Sequence, residues 1–248
     1  MSNGFFSIEQ PKNEPVKAYL PASAERASLK AELARQASQV VEIPLVIGGR
    51  DVKTGTLGKI VTPHDHRHQL ASFHNAGEAE LKAAVKAAKA AKAAWADMPF
   101  EHRAAIFLKA ADLLAGPWRD RVNAATMLGQ SKTAYQAEID SACELADFLR
   151  FNVYYAQEIM RQQPSSSAAV WNRMEYRPLD GFVVAVSPFN FTSIGGNLCT
   201  APAIMGNTVI WKPSSTAVLS NYYFMRLLEE AGLPAGVINF VPCRGTDL

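Results

Sequence analysis

Apolar residues recur at helical spacing through most of the first 160 positions of the chain. In the Ala- and Lys-rich segment 78–98, Leu81 and Trp95 fall on one face and lysines occupy another, which predicts a long amphipathic helix. A similar pattern follows and stops near Gly116, a residue type common at helix ends. Helices are predicted over residues 23–40, 78–98, 100–115, 119–128 and 134–161, the first with Ser23 as its cap.

After Gly181 the pattern changes to short apolar strands that alternate with helices. Strands are predicted over residues 182–186, 208–211 and 237–241, and helices over residues 194–205 and 216–231. This order favours parallel pairing, because each crossover helix returns the chain to the same end of the sheet. The predicted fold class is α/β, with a Rossmann-like parallel sheet and flanking helices.

The remaining segments predict an arm and additional strands. The first 22 residues contain three prolines and show no periodicity, which indicates an extended arm that lies on another surface. Short strands are predicted at 43–47, before the Gly48–Gly49 turn, and at 171–178. We assign residues 1–40 to the arm and its helix, and residues 41–248 to a second domain.

Composition and charge exclude several classes of protein. The chain is 48% hydrophobic with a net charge of +2, so it can build a core and lacks the basic excess of nucleic-acid binders. No apolar run approaches the roughly 20 residues that span a bilayer. Three scattered cysteines do not suggest a disulfide framework, and the start lacks a leader pattern. We predict a cytoplasmic protein without nucleic-acid or membrane partners; the mitochondrial matrix stays open if the start is incomplete.

Two polar segments follow predicted strands, where open parallel sheets bind ligands. In SPFNF, Pro188 stiffens the loop and Asn190 offers an amide donor suited to a developing oxyanion. In WKPSS, Lys212 and Ser214 suit ribose hydroxyls or phosphate. Neither segment is a GxGxxG fingerprint, so a structural or solvated role stays open for each of them taken alone.

The cysteines are weaker candidates. Cys199 lies shortly after the first loop, but no histidine nearby in the sequence would activate its thiol. We expect Cys199, Cys143 and Cys243 to be small buried residues.

The run HDHRH is a possible metal motif. In a strand, His64, His66 and His68 would share one face, as metal ligands do. No further His or Cys cluster accompanies them. We favour a surface turn after Pro63 and predict no metal site.

Three segments occur along the chain in a distinctive order: GFVVAVSPFNF, APAIMGNTVIWKPS and EAGLPAGVINFV. Together they resemble the aldehyde dehydrogenase superfamily. The closer resemblance is to its 1-pyrroline-5-carboxylate (L-glutamate γ-semialdehyde) dehydrogenase subfamily, and it is carried by EHRAAIFLKAADLL, GQSKTAYQAEIDSACELADFLRFN, EYRPLDGFV and SPFNFT. The resemblance runs from about the IGGR segment to the end. It implies NAD-dependent oxidation of the semialdehyde to L-glutamate in proline catabolism, with a cysteine as nucleophile.

The resemblance also implies residue roles. Asn190 would donate to the oxyanion, and Phe191 and Glu144 would line the substrate site. The implied cofactor contacts are Ser187, Pro188, Lys212, Ser214 and Gly245.

Alternatives stay open for the two substrate-site residues and for the cofactor. Glu144 could instead pair with Arg150 or Lys132, and Phe191 could be core filler. Ser215 stands where many members of the family carry an acidic residue that binds ribose hydroxyls. Without a carboxylate there to repel a 2′-phosphate, NADP stays possible beside NAD.

The family's nucleophilic cysteine and general-base glutamate are expected beyond Leu248. So is a strand that completes an oligomerisation sheet, to which strands near 43–61 and 168–180 would belong. We therefore expect residues 41–248 to form an incomplete cofactor-binding domain that is inactive alone. The full-length protein would be a homo-oligomer that acts on a small-molecule aldehyde. The alternatives are a non-catalytic dinucleotide-binding or oligomerisation fragment, and a thiol enzyme that uses Cys199.

Overall fold

The structure, a computed structural model, describes Gly4 and residues 6–248. The helices are α1 (Ala24–Ala37), α2 (Glu78–Asp97), α3 (Phe100–Ala115), α4 (Arg119–Gln130), α5 (Ala134–Ala137), a π-helix (Glu138–Glu144), α6 (Leu145–Arg161), α7 (Thr192–Ile204) and α8 (Val218–Ala231). In this part of the chain, none of the helices combines the length and apolar character that crossing a bilayer requires.

The strands form two sheets. They are β1 (Val41–Ile43), β2 (Leu45–Ile47), β3 (Arg50–Val52), β4 (Leu57–Thr62), β5 (Asp65–His74), β6 (Val183–Val186), β7 (Val209–Lys212) and β8 (Ile238–Phe240). The main sheet has the order β3-β2-β8-β7-β6, and the smaller sheet has the order β1-β5-β4. Strands β6, β7 and β8 pair in parallel, so the predicted Rossmann-like order is confirmed.

The additional strands predicted near 43–61 and 168–180 differ from the prediction in their sheet pairing. At 43–61, β2 pairs antiparallel with β8 and β3 pairs antiparallel with β2, which extends the main sheet, while β4 pairs with β5 in the smaller sheet. The strand predicted at 171–178, within 168–180, does not form in this structure: residues 171–178 are in no strand, and the nearby isolated bridge joins Ser167 to Val170. Alternating side chains alone do not make a strand, because its backbone groups need a neighbouring strand to bond with.

The helices pack around aromatic residues on both sides of β7. Trp211 is fully buried and meets Phe224 and Phe240 edge to face, with ring centroids 6.3 and 5.1 Å apart. On α7, a Cβ added at Gly196 would lie 2.6 Å from Leu145 and 2.8 Å from Phe224. The glycine therefore lets α7 approach α6 and α8 closely.

The helix predicted over 134–161 is continuous but not uniform. A π-helix of 7 residues, Glu138–Glu144, separates α5 from α6. A π segment inserts extra backbone into a helical run and is frequent at functional sites. Its effect here is to turn Glu138, Asp140 and Ser141 into the interior, where each is at most 2% exposed.

The extended arm is confirmed for residues 6–22, while residues 1–3 and 5 lie outside the described residues. The amide of Gln157 binds both backbone groups of Ile8, at 2.8 and 3.2 Å. Further along, the backbone N–H of Glu14 donates to Asp147 at 2.7 Å. The arm therefore uses side chains of α6 in place of a neighbouring strand.

Candidate functional site

Three loops converge at one edge of the main sheet. They follow β6, β7 and β8, which are parallel neighbours and so end on the same side. The backbone N–H of Ser187 donates to the carbonyl of Lys212 at 3.1 Å, and that of Val241 donates to Trp211 at 2.8 Å. The two polar segments singled out in the sequence are therefore adjacent in space.

Ser187 and Pro188 form the first turn beyond β6. Ser187 is only 5% exposed, and its Oγ accepts a hydrogen bond from Nε1 of Trp211 at 3.1 Å. Its hydroxyl is thus turned toward the core. A ligand at this edge would meet the half-buried ring of Pro188 and the loop backbone instead of the Ser187 side chain.

Lys212 is the last residue of β7 and Ser214 follows just beyond it, and both are half-buried. Within residues 6–248, the Lys212 ammonium has no carboxylate within 4.0 Å. The Oγ of Ser214 lies 3.4 Å from the Thr216 hydroxyl, while a Cβ added at Gly245 would meet nothing within 4 Å. An unpaired cation, a hydroxyl and open space beside a glycine fit the ribose and phosphate groups of a dinucleotide.

Asn190 and Phe191 lie between this edge and α7. The Asn190 side chain is exposed and makes no hydrogen bond to any described residue, so its amide is available to a ligand. Phe191 is 37% exposed, and Nζ of Lys132 lies 4.1 Å from its ring centroid. A cation at that distance over a ring is attracted to the face of the ring. Phe191 is therefore a partly exposed residue in contact with Lys132, and not a buried core residue.

Glu144, at the end of the π-helix, accepts a hydrogen bond from Oγ of Ser193 at 2.9 Å. The alternative ion pairs do not occur: Lys132 binds Asp140 at 2.6 Å. Arg150 binds Glu14 at 2.6 Å and Asp112 at 3.3 Å.

The carboxylate of Glu144 therefore stays without a cationic partner in the described part of the chain. It borders a groove of about 780 Å³ between the arm and α6, together with Asp147, Phe148 and Phe151. Acidic and aromatic side chains in one groove suit a ligand that carries an ammonium group and an aliphatic chain.

The three thiols are buried, as predicted. Burial raises the pKa of Cys199 well above its ordinary value, and its Sγ donates to the carbonyl of Gly196 at 3.1 Å. Burial also raises the pKa of Cys143 to about 12. For Cys243, burial raises the pKa although the nearby Lys212 opposes the shift. A nucleophilic thiol needs the opposite shift.

The histidine run is placed differently from the prediction. The turn covers only Pro63 and His64, and β5 begins at Asp65, so His66 and His68 lie in a strand. The expected surface turn is therefore wrong for His66 and His68, because pairing with β4 extends the strand to Asp65.

The imidazoles of this run have separate partners. Nε2 of His68 bonds to the carbonyl of Ala37 at 2.8 Å, and Nδ1 of His64 lies 3.5 Å from the Ser131 hydroxyl. Among residues 6–248, no group of three acidic, histidine or cysteine side chains is arranged to hold a metal ion.

A buried ion network behind Glu144 was not predicted. Arg119, which is 1% exposed, binds both Glu138 and Glu14 and also bonds to the arm carbonyl of Pro15 at 2.8 Å. Burial alone would raise the pKa of Glu138, but hydrogen bonds from Arg119, the Lys17 backbone and Tyr19 outweigh it and lower the pKa. The only signal in the sequence was the charge-rich segment KTAYQAEID, and its periodicity could not show which charges point inward.

Comparison with known proteins gives the family. The sequence pattern of the aldehyde dehydrogenase family matches residues 51–248. The chain is 52% identical over 239 residues to delta-1-pyrroline-5-carboxylate dehydrogenase of Agaricus bisporus, covering 96% of this chain and 44% of that protein. It is 50% identical over 233 residues to the mitochondrial protein of the same name in Homo sapiens, covering 94% of this chain and 41% of the human one.

Solved structures agree with the sequence comparison. The delta-pyrroline-5-carboxylate dehydrogenase of Mycobacterium tuberculosis bound with NAD has a TM-score of 0.97 and 57% identity, covering 98% of this chain and 46% of that one. The chain thus spans less than half the length of these relatives. With a family pattern over most of its residues and about half of them identical in these relatives, the chain belongs to the aldehyde dehydrogenase family.

Proposed function

We propose that this chain forms the cofactor-binding part, and one wall of the substrate site, of an enzyme that oxidises L-glutamate γ-semialdehyde to L-glutamate with NAD. This is the reaction of 1-pyrroline-5-carboxylate dehydrogenation in proline catabolism. The observation that carries the proposal is that the unpaired Lys212, at one edge of a parallel sheet, lies beside the start of the loop that carries the exposed Asn190 amide and Phe191. The names of the relatives supply the substrate.

Each residue has a role that its surroundings permit. Lys212 and Ser214 hold the adenine ribose of NAD, and Pro188 and Gly245 border the cofactor. NAD supplies the hydride acceptor when bound. The Asn190 amide donates to the oxygen of the aldehyde as negative charge develops on it. Phe191 contacts the aliphatic chain of the substrate, and Glu144 faces its ammonium group.

The direct test is aldehyde-dependent formation of NADH by the full-length protein that contains this chain. We expect turnover of L-glutamate γ-semialdehyde, and weaker turnover of a simple aldehyde of the same chain length that lacks the amino-acid group. Equal turnover of the two aldehydes, or none of the semialdehyde, would contradict the proposed substrate.

Cofactor choice gives a prediction for Lys212 and Ser215. Lys212→Met removes a charge-assisted hydrogen bond worth about 1.5–3 kcal/mol, which corresponds to roughly 10- to 100-fold weaker NAD binding. Ser215→Glu places a carboxylate near the ribose and should weaken NADP binding more than NAD binding, because it repels the 2′-phosphate. Calorimetry on the full-length protein measures both effects.

The matched control is Lys86→Met, an exposed lysine of α2, which should leave the dissociation constants unchanged. If Lys212→Met behaves like that control, the cofactor does not use Lys212.

The 248-residue chain is expected to show no dehydrogenase activity alone, because its three thiols are buried with raised pKa values. At neutral pH, a thiol reagent should label Cys199 far more slowly in the folded chain than in urea. Rapid labelling of Cys199, or aldehyde-dependent NADH formation, would show that one of these thiols is a nucleophile.

A second candidate function is non-catalytic dinucleotide binding by this chain alone or in a homo-oligomer. The observation that favours it is that there is open space beside Gly245 at the proposed cofactor edge of the main sheet, whereas all three thiols are buried. NAD binding by the 248-residue chain, with no turnover after the remainder of a relative is added in trans, would support it.

For location we retain the cytoplasm, with the mitochondrial matrix open because several eukaryotic relatives are described as mitochondrial.

A further inference from the structure

The amino terminus of α7 has no cap of its own. The helix begins at Thr192, directly after Asn190 and Phe191, and Phe191 in the N-cap position offers no side-chain hydrogen bond. The first backbone N–H groups of a helix need acceptors from elsewhere. A buried carboxylate 52 and 53 residues earlier in the chain, that of Asp140, supplies them.

Asp140 binds two successive backbone groups of α7. Its Oδ2 accepts from the N–H of Thr192 at 3.2 Å, and its Oδ1 accepts from that of Ser193 at 2.9 Å. The residue is 2% exposed, so these bonds are shielded from bulk solvent. A carboxylate at a helix amino terminus is also favoured by the helix dipole.

The same carboxylate holds a lysine over the substrate-facing ring. Nζ of Lys132 lies 2.6 Å from Oδ2 of Asp140 and 4.1 Å from the ring centroid of Phe191. Lys132 therefore links the cap of α7 to the rotamer of Phe191. Without Asp140, the ammonium would lose its anionic partner and its fixed position above the ring.

The rest of the α7 start is also pinned, which limits where the loop can move. Oγ of Ser193 donates to Glu144 at 2.9 Å, and Oγ1 of Thr192 lies 2.9 Å from the hydroxyls of Thr126 and Ser220. These contacts hold side chains, whereas Asp140 holds the backbone itself. The backbone direction at Thr192 sets where the preceding Asn190 amide points.

We propose that Asp140 and Lys132 are positioning residues for the aldehyde site, and that they act through the Asn190–Ser193 segment. The inference rests on the proposed function for the roles of Asn190 and Phe191 and for the identity of the aldehyde. Misplacing a reacting group by about 1 Å can cost about 100-fold in rate. Loss of the Asp140 cap should therefore lower kcat. Loss of the Lys132 ammonium should mainly raise KM, because it no longer holds the ring of Phe191.

The test compares Asp140→Asn and Lys132→Met in the full-length protein. For Asp140→Asn we expect kcat to fall about 10- to 100-fold, with faster hydrogen exchange at the amides of Thr192 and Ser193. For Lys132→Met, which keeps the cap, we expect a rise in KM of about threefold to tenfold, and unchanged exchange at these amides. The matched control is Asp120→Asn, a carboxylate of α4 that accepts a hydrogen bond from Ser28 on α1 and does not line the groove beside Glu144.

The readouts separate the outcomes. Unchanged kcat and exchange in Asp140→Asn would overturn the proposal, as would equal losses in Asp120→Asn, which would indicate a general loss of stability. If Asp140→Asn does not fold, Lys132→Met decides, and an unchanged KM overturns the link to Phe191. If the unmodified protein does not oxidise the semialdehyde, the proposed function fails by itself, and amide exchange still decides whether Asp140 holds the segment.

Discussion

Asn190→Ala is expected to lower kcat for aldehyde oxidation by about 100- to 1,000-fold in the full-length protein, the usual cost of removing one oxyanion donor. The expectation follows from the exposed position of the amide, which makes no bond to any described residue and is therefore available to the substrate oxygen. KM should change much less than kcat, because the hydrogen bond strengthens as charge develops on that oxygen. Steady-state kinetics with L-glutamate γ-semialdehyde and NAD measures both constants.

The matched control for this prediction is Asn197→Ala on α7, the helix that follows Asn190. Asn197 accepts a hydrogen bond from Asn152 at 2.7 Å and does not lie in the loop before α7. Its removal should cost one ordinary hydrogen bond of about 1 kcal/mol in stability and leave kcat nearly unchanged. Similar kinetic losses in the two variants would mean that α7 is merely destabilised, and that the Asn190 amide has no direct role.

Arg119→Met is expected to lower the free energy of unfolding by about 3–5 kcal/mol, the range measured when one partner of a buried ion pair is removed. Arg119 is 1% exposed and Glu138 is fully buried. The substitution leaves the Glu138 and Glu14 carboxylates without this cation in the interior. Urea denaturation measures the change, and Lys82→Met, at an exposed pair with Glu78, should cost at most about 1 kcal/mol.

The double variant Arg119→Met/Glu138→Leu sharpens this test. It should recover part of the loss, because the worst consequence of the single change is an uncompensated buried charge. A double variant that is less stable than Arg119→Met would indicate that packing of the arginine side chain, and not its charge, matters at this position.

The pH dependence of the ion network has a definite sign. Burial alone would raise the pKa values of Glu138 and Glu14, but hydrogen bonds from Arg119, and from Arg150 at Glu14, lower them below the ordinary 4.5. Groups with lowered pKa contribute stability that is complete above their unfolded pKa and is lost as the pH falls through the folded value. The stability difference between the natural chain and Arg119→Met should therefore shrink on acidification below about pH 5.

The arm network and the α7 cap meet in the π-helix. Glu138 faces the arm, Asp140 holds the start of α7, and Glu144 bonds to Ser193. A single segment of 7 residues thus connects the arm to the candidate site. Glu138 and Asp140 can therefore lie in the interior, because each has hydrogen-bond partners there.

The regular elements were predictable from local sequence. The cap at Ser23, which accepts from the Arg26 N–H at 3.3 Å, and the parallel order of β6, β7 and β8 follow from residue type and spacing. The loops that carry Asn190 and Lys212 were also predictable, because strand ends of a parallel sheet gather on one side. The strand over 171–178 was not, since its formation depends on a neighbouring strand.

The sequence by itself determined the family, the α/β order and the residues offered at the sheet edge, because these depend on short-range periodicity and motif order. Only the tertiary structure decided which charges are buried and which partners they take. The contacts of Asp140 with Thr192, and of Arg119 with Glu14, join residues 52 and 105 positions apart. A helical pattern read at 3.6 residues per turn loses its phase in a π segment, so the inward turn of Glu138 and Asp140 could come only from the folded chain.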